Sequence, residues 1–386
     1  VVLVCTYGAQ RDREVSVAEL WDQTGKVLLY YEKPLGGIAG RNNTPVTIQL
    51  EHLCSPVSVG VLLEEDLWFG EPARALMAQG VQLTLAASRG VLDASSTSVL
   101  GFRASANIGA TVVASDMDAV SHMPPTSSEL KVVRPAAEYR AWFTKENTAA
   151  SFSLHSTNLT SISAARASSP WGDNYRHPFS YSELCWDEHV SVPQPTLATA
   201  GPRTIRVAML QVAASDTSVS RNWEIAEDAF REAARMGANI ALLPELFSIG
   251  YSARYRAYSD TDARPFFQWL KLAVTEASVV ARFAPLAREL NMALGVAYLE
   301  EWESGYPPRN SVTLIDRKGV LKYTYSKMHT CTWQGDEAGT EGGRRFFSAQ
   351  LDVGDGNITV GSIICADGAF MEASRHLARL GVEVSL

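Results

Sequence analysis

Three residues of the types that carry out acyl transfer stand at the ends of apolar, strand-like runs. Glu245 follows "ALLP", Lys327 closes "LKYTYSK", and Cys365 closes "GSII", with Asp367 just beyond it. In parallel-rich sheets, residues just past the carboxyl ends of strands converge on one crevice. A thiol gathered there becomes a nucleophile once a base or a positive neighbour raises its thiolate fraction. A lysine can supply that charge and also stabilise a developing oxyanion. A carboxylate can take the thiol proton and return it to a leaving amine. Taken singly, each residue has a bland reading. A cysteine at a strand end is usually a small core hydrophobe, a glutamate there a loop residue or cap, a lysine a solvated end.

The elements that would position them are legible. "TIRVAMLQV" (204–212) is a near-continuous apolar run, as expected of a strand covered on both faces. Ile225, Ala226, Ala229, Phe230, Ala233 and Ala234 share one face of a helix that Gly237 ends. "NIALLP" is the next strand, completing a crossover unit. A second helix is predicted over 264–290, bent near Pro285. "NMALGVAYLE" and "NSVTLIDRKGVLKYTYSK" read as further strands, the second run folding back at Arg317-Lys318-Gly319. "ITVGSIICA" is one more strand, "FMEASRHLARLG" a helix, and "VEVSL" begins a strand where the sequence stops, so a truncated domain is expected.

The first part of the chain repeats this pattern. "AELWDQTGKVLLYYEK" (18–33) aligns with "VTLIDRKGVLKYTYSK" (312–327), placing Lys33 under Lys327. Residues 57–83 align without a gap with 358–384, and Val59, Gly60, Asp66, Phe69, Glu71, Arg74, Leu76, Gly80 and Val81 are identical to their counterparts. Ungapped similarity of this length predicts a duplication. The expected organisation is 1–150 as the later part of one domain, 151–202 as a tail and Ser/Pro/Ala-rich linker, and 203–386 as the earlier two-thirds of a second. In the first copy Glu64 replaces the cysteine, and Glu65 and Asp66 add negative charge that would repel an oxyanion. That copy is expected to be catalytically dead.

Bulk properties narrow the class. The 386 residues are 46% hydrophobic and 20% charged with a net charge of -8, an ordinary globular composition for two domains. No basic stripe suggests nucleic acid, and no run of about 18 apolar residues suggests a membrane span. The five cysteines include no CxxC pair, so neither a disulfide framework nor a zinc site is expected, and a reducing, cytoplasmic setting is the default.

The combination "RVAMLQV", Asn222, "GANIALLPELF", "RNSVTLIDRKG", "YSKMHT", "ICAD" and "FMEASRHLARLGVEV" resembles the nitrilase, or carbon–nitrogen hydrolase, superfamily across 203–386. The resemblance implies an α/β fold, a four-layer αββα sandwich, here as two incomplete tandem copies. It implies Glu245 as general base, Lys327 as stabiliser of the tetrahedral intermediate and Cys365 as nucleophile. A second family glutamate is expected at Glu337, with Glu341 as fallback, and the N–H of Ala366 as oxyanion donor. The reaction needs no metal or organic cofactor. The partners implied are a small amide or carbamoyl substrate and either a second subunit or the other copy in an intramolecular pseudo-dimer, because family members stack their sandwiches in pairs.

Ala366-Asp367 after the cysteine, in place of Trp-Glu, places the chain nearer the amidase and carbamoyl-amidohydrolase branches than the nitrilases. Many relatives carry an arginine soon after the aspartate. Gly368, Ala369 and Met371 stand there instead, which suggests an uncharged substrate or a weakened site. Three other readings compete: a nitrile-hydrolysing enzyme, a non-catalytic scaffold of the same fold, and a thiol protease using His329. No protease signature surrounds Cys365, and His329 reads as structural or pocket-lining. An Asp367–Arg375 salt bridge is the expected brace of the cysteine turn.

Overall fold

The computed structural model describes residues 2–10, 13–34, 44–49, 56–63, 66, 70–88, 110–115, 119–122, 164, 204–215, 218–251, 271–331, 337, 339–354 and 356–386. The chain divides into two units, Val1–Asn174 and Tyr175–Leu386. The expected linker, 151–202, lies almost wholly outside the described residues, as do Glu64 and Glu65. Among the described residues no helix is long and apolar enough to cross a membrane.

In the second unit, β9 (Val207–Met209), β10 (Ile240–Leu242) and β11 (Ala293–Glu300) run parallel. Parallel neighbours need a crossover, and two helices provide it: α2 (Val219–Arg235) and α3 (Glu276–Leu290). Ser218 caps α2 by accepting from the Arg221 N–H, and Gly237, at φ 78°, follows its end as expected. Ala226, Phe230 and Ala233 face the sheet, with Trp223 and Phe230 edge-on to Phe283 of α3. Antiparallel β12 (Arg309–Ile315) and β13 (Leu321–Ser326) complete a sheet of order β13-β12-β11-β10-β9.

A second sheet, β14 (Ser348–Asp352), β15 (Asn357–Gly361) and β16 (Val384–Ser385), packs on its other face. Leu314, Tyr323 and Tyr325 meet Leu351, Ile358 and Val360 there. α4 (Met371–Arg379) covers the far side of this smaller sheet. It lies so close that a Cβ on Gly361 would sit 2.8 Å from Leu377 Cδ2. The layers of this unit are helix pair, five-stranded sheet, three-stranded sheet and helix.

Two expectations change. The run 204–212 is a strand over three residues only, and Val207 and Met209 are 37% and 79% exposed. The run reads as doubly covered because it is apolar, but β9 is the edge of its sheet. The second helix starts at Glu276 because Thr275 caps it, and the preceding Val274 bridges to Glu300. Residues 264–270 lie outside the described residues, and Pro285 stays within the helix.

The first unit has an antiparallel sheet of β1 (Val2–Gln10), β2 (Arg13–Trp21) and β3 (Val27–Pro34). A second sheet has the order β4-β5-β6-β7-β8: Val46–Ile48, Val57–Leu63, Leu83–Ser88, Ala110–Ser115 and Ala119–His122. Ala18, Leu20 and Tyr31 meet Val57, Val59 and Val61 between the sheets. α1 (Gly70–Ala78) lies so near β5 that a Cβ on Gly60 would come 2.8 Å from Leu76 Cδ1. Gly60 and Leu76 align with Gly361 and Leu377.

The aligned hairpins agree in detail. Asp22 Oδ1 accepts from the N–H groups of Thr24 (2.8 Å) and Lys26 (3.0 Å). Asp316 Oδ1 accepts likewise from Lys318 (2.9 Å) and Val320 (2.8 Å). Gly25 and Gly319 take φ of 80° and 75° in the two turns. The register shifts between Leu20 and Trp21 in one hairpin, and between the aligned Leu314 and Ile315 in the other.

Candidate active site

Lys327 leaves the end of β13 fully buried, with its ammonium 2.7 Å from Glu245 Oε1, 2.7 Å from Glu337 Oε2 and 3.4 Å from Cys331 Sγ. Three donors thus meet three partners. Burial alone would lower the Lys327 pKa, but Glu337 and Glu245 outweigh it and raise it, so the amine stays charged. Glu245 follows β10, and Leu246 beside it adopts a left-handed φ of 52°. Glu337 is buried and accepts from the Cys331 N–H at 2.5 Å.

Cys365 does not end a strand. It opens a short 3₁₀ turn, Cys365–Ala369, beyond β15, at a left-handed φ of 46°. Non-glycine residues rarely take this conformation, and it costs about 1–3 kcal/mol when imposed. The turn lifts the thiol out of the packing, and Cys365 is exposed whereas Cys331 is buried. A hydrogen bond from the Cys331 thiol lowers the Cys365 pKa, helped by the Lys327 charge and opposed by partial burial and Glu245. The same bond, with burial, raises that of Cys331. Ala366 is buried behind the thiol.

Asp367 is buried and its carboxylate is fully engaged. Oδ2 accepts from the Tyr325 hydroxyl (2.6 Å) and the Ile364 N–H (3.0 Å). Oδ1 accepts from the His329 N–H (2.9 Å) and meets His329 Nδ1 at 2.7 Å. The expected brace from Arg375 is therefore replaced by Tyr325 and His329, and Arg375 is exposed. The His329 ring stacks on Phe370 at 3.7 Å, so it is core-packed rather than poised as a base for Cys365. Glu341, the alternative to Glu337, instead pairs with Arg309 at 2.9 Å.

Sequence reasoning missed Asn310. Its amide donates to Glu245 Oε1 (2.7 Å) and Glu337 Oε1 (2.5 Å), holding both carboxylates against their mutual repulsion. An asparagine in a strand is unusual, and that was the available signal. Tyr251 stands at the rim, its pKa raised by burial first and then by Glu337 and Glu245. Glu245 and Cys365 also border a largely apolar cavity of about 600 Å³ lined by Leu210, Val212, Leu243 and Ile364.

Residues 206–386 match the family model described as carbon–nitrogen hydrolase. This segment is therefore similar to carbon–nitrogen hydrolases. It is similar to the N-carbamoylputrescine amidase of Solanum tuberosum, at 33% identity over 187 residues, 47% of this chain and 57% of that protein. It is also similar to the citrullinase of Francisella tularensis, at 30% identity over 186 residues, 47% of this chain and 60% of that protein. Among solved structures, an amidase from Nesterenkonia sp. aligns at 22% identity over 47% of this chain and 63% of that one, with a TM-score of 0.36. The chain spans little more than half the length of the curated relatives it matches. The matched segment contains Glu245, Asn310, Lys327, Glu337 and Cys365.

The aligned residues of the first unit form a different set of contacts. The Tyr31 hydroxyl donates to Asp66 Oδ2 (2.7 Å), and the Leu63 N–H donates to the same oxygen (3.0 Å), matching Tyr325, Ile364 and Asp367. Lys33, buried like Lys327, places its ammonium 2.7 Å from Asp66 Oδ1.

Proposed function

We propose that the second unit carries the reacting groups of an amidohydrolase that cleaves a non-peptide C–N bond in a small amide or N-carbamoyl compound. The observation that supports this best is the convergence of a charged lysine, two carboxylates and an exposed thiol of lowered pKa on one spot. In this reading Cys365 attacks the carbonyl carbon while Glu245 takes its proton. Lys327 and the Ala366 N–H hold the oxyanion, each such donor contributing about 3 kcal/mol. Glu245 then protonates the departing ammonia or amine, leaving a thioester. It next accepts a proton from water, whose oxygen attacks the thioester, and the acid leaves as the thiol is restored. Glu337 and Asn310 keep Lys327 and Glu245 in register. The names of the potato and Francisella relatives favour carbamoyl or amide substrates over nitriles. The cavity wall, without a basic side chain among its described residues, suits an uncharged acyl group.

The first unit fits the later part of a second αββα sandwich whose site has decayed, so that the chain holds two incomplete tandem copies. The matched hairpin, the matched register shift and the shared Tyr–Asp contact support that reading. Its role is then structural, as a pseudo-dimer partner or scaffold.

The test uses the full-length protein with simple amides, N-carbamoyl amines and nitriles, following ammonia, with Cys365→Ala as control. Ammonia from amides or carbamoyl compounds, lost in the variant, is expected. No ammonia from any of them, with Cys365 no more reactive to iodoacetamide than Cys331, would overturn the proposal.

A further inference from the structure

The two units present the same aspartate in two states. In both, a tyrosine hydroxyl and the N–H at the strand end occupy one carboxylate oxygen, so the aspartate sits in the same place relative to its strand. In both, a fully buried lysine stands two residues after that tyrosine. What differs is the second oxygen. Asp66 Oδ1 takes the Lys33 ammonium at 2.7 Å, whereas Asp367 Oδ1 takes the backbone and ring of His329. A lysine at this strand position can therefore reach the aspartate, and in the first unit it does.

We propose that His329 is a positioning residue that keeps Lys327 on Glu245 and Glu337 by occupying the Asp367 oxygen that would otherwise capture it. A carboxylate oxygen already accepting two hydrogen bonds has little left to offer an ammonium. Stacking on Phe370 fixes the ring in that place. The aligned residue in the first unit is Leu35 by sequence, which has no side-chain donor. By analogy with Lys33, Lys327 has a second carboxylate to choose, and in this reading the histidine decides which one it serves. Capture by Asp367 would take the positive charge away from the Cys365 thiol and from the oxyanion, and would leave Glu245 without its counter-charge.

This rests on the proposed roles of Cys365 and Lys327, and the experiment separates the two. The rate of Cys365 alkylation by iodoacetamide is followed against pH in the full-length protein by peptide mass spectrometry. In the wild type Cys365 should react ahead of Cys331; if it does not, the site reading itself fails. His329→Leu should move the alkylation midpoint up by about one pH unit, a tenfold loss of thiolate at neutral pH. His329→Asn, which retains a donor, should stay near wild type. The double variant His329→Leu/Asp367→Asn should regain the lost reactivity, because no carboxylate remains to attract the lysine. An unchanged midpoint in His329→Leu, or a double variant no better than the single one, would show that the histidine does not act on the lysine. If His329→Leu does not fold, the double variant measured against Asp367→Asn decides the matter: equal midpoints support capture, and a shift between them overturns it.

Discussion

Lys327 and Glu245 lie 82 positions apart in the chain and 2.7 Å apart in space. Their pairing joins the end of the hairpin strand β13 to the loop after the parallel strand β10, and Glu337 meets the same ammonium from a third segment. A buried ammonium flanked by two carboxylates must be assembled as a unit, because without the lysine the two carboxylates face each other with no counter-charge.

Asn310 tests how much that assembly depends on a neutral donor. Asn310→Asp keeps the shape but removes the amide donors and adds a third carboxylate beside Glu245 and Glu337. We expect a loss of about 1–3 kcal/mol in the second unit, measured by urea unfolding, together with a lower kcat. An equally stable variant would mean that the two glutamates do not need the amide.

In the first unit the ion pair between Lys33 and Asp66 is buried on both sides, each side chain being 1% exposed. Asp66→Ala should cost about 3–5 kcal/mol, because it removes the carboxylate partner of a buried ammonium and an acceptor of the Tyr31 hydroxyl. Replacing both members, as Lys33→Met/Asp66→Asn, should cost much less. Differential scanning calorimetry of the full chain, with the transitions of the two units resolved, distinguishes these outcomes.

The pH dependence of stability has two limbs. Burial alone would raise the Asp367 pKa, but hydrogen bonds from His329, Tyr325 and Ile364 outweigh it and lower it. A carboxylate with a depressed folded pKa adds stability that is present above the unfolded value, near pH 3.9, and lost as pH falls through the folded value. Lys327 is shifted up, so its contribution is fully present below about pH 10.4 and lost as pH rises through its folded value. Unfolding midpoints across pH 2–11 should show both limbs, with Asp367→Asn flattening the acid one and Lys327→Met the alkaline one. An acid limb unchanged in Asp367→Asn would assign it to other carboxylates.

Gly343 is packed against the strand that delivers the lysine. A Cβ there would meet Ser326 O at 2.1 Å, and the Gly343 N–H donates to Lys327 O at 2.8 Å. Gly343→Ala must displace backbone rather than a flexible side chain, so a cost of about 1–3 kcal/mol is expected. Because the displaced segment carries Lys327, kcat should fall more than stability does. Gly361→Ala, which meets Leu377 and Phe347 O away from the lysine, should destabilise comparably with a smaller effect on kcat.

Part of the candidate site was legible in the sequence because Glu245 and Lys327 stand just past strands, whereas Glu337 was expected only from the family resemblance and Cys365 sits in a turn beyond its strand. Apolar runs locate strands, and the polar residue that ends each run is conspicuous; Glu245 and Lys327 were found in this way. Tyr325 was not, although it shares a strand face with Lys327 at the period of two. A tyrosine in an apolar strand has a sufficient explanation as core, and only the contact with Asp367 shows its hydroxyl at work. The edge position of β9 was missed for a related reason, since an apolar run does not say what covers it.

The sequence by itself determined the order of the elements, the repeated hairpin and helix, and the chemical types brought to the strand ends. All of these follow from local periodicity, turn residues and alignment of the chain with itself. Only the tertiary structure decided which carboxylate each lysine meets. Lys33 and Lys327 occupy aligned positions in similar strands, yet one pairs with Asp66 and the other with Glu245 and Glu337. That choice is a competition among buried charges and hydrogen-bond donors supplied by distant segments, and its energy depends on distances that no local pattern encodes.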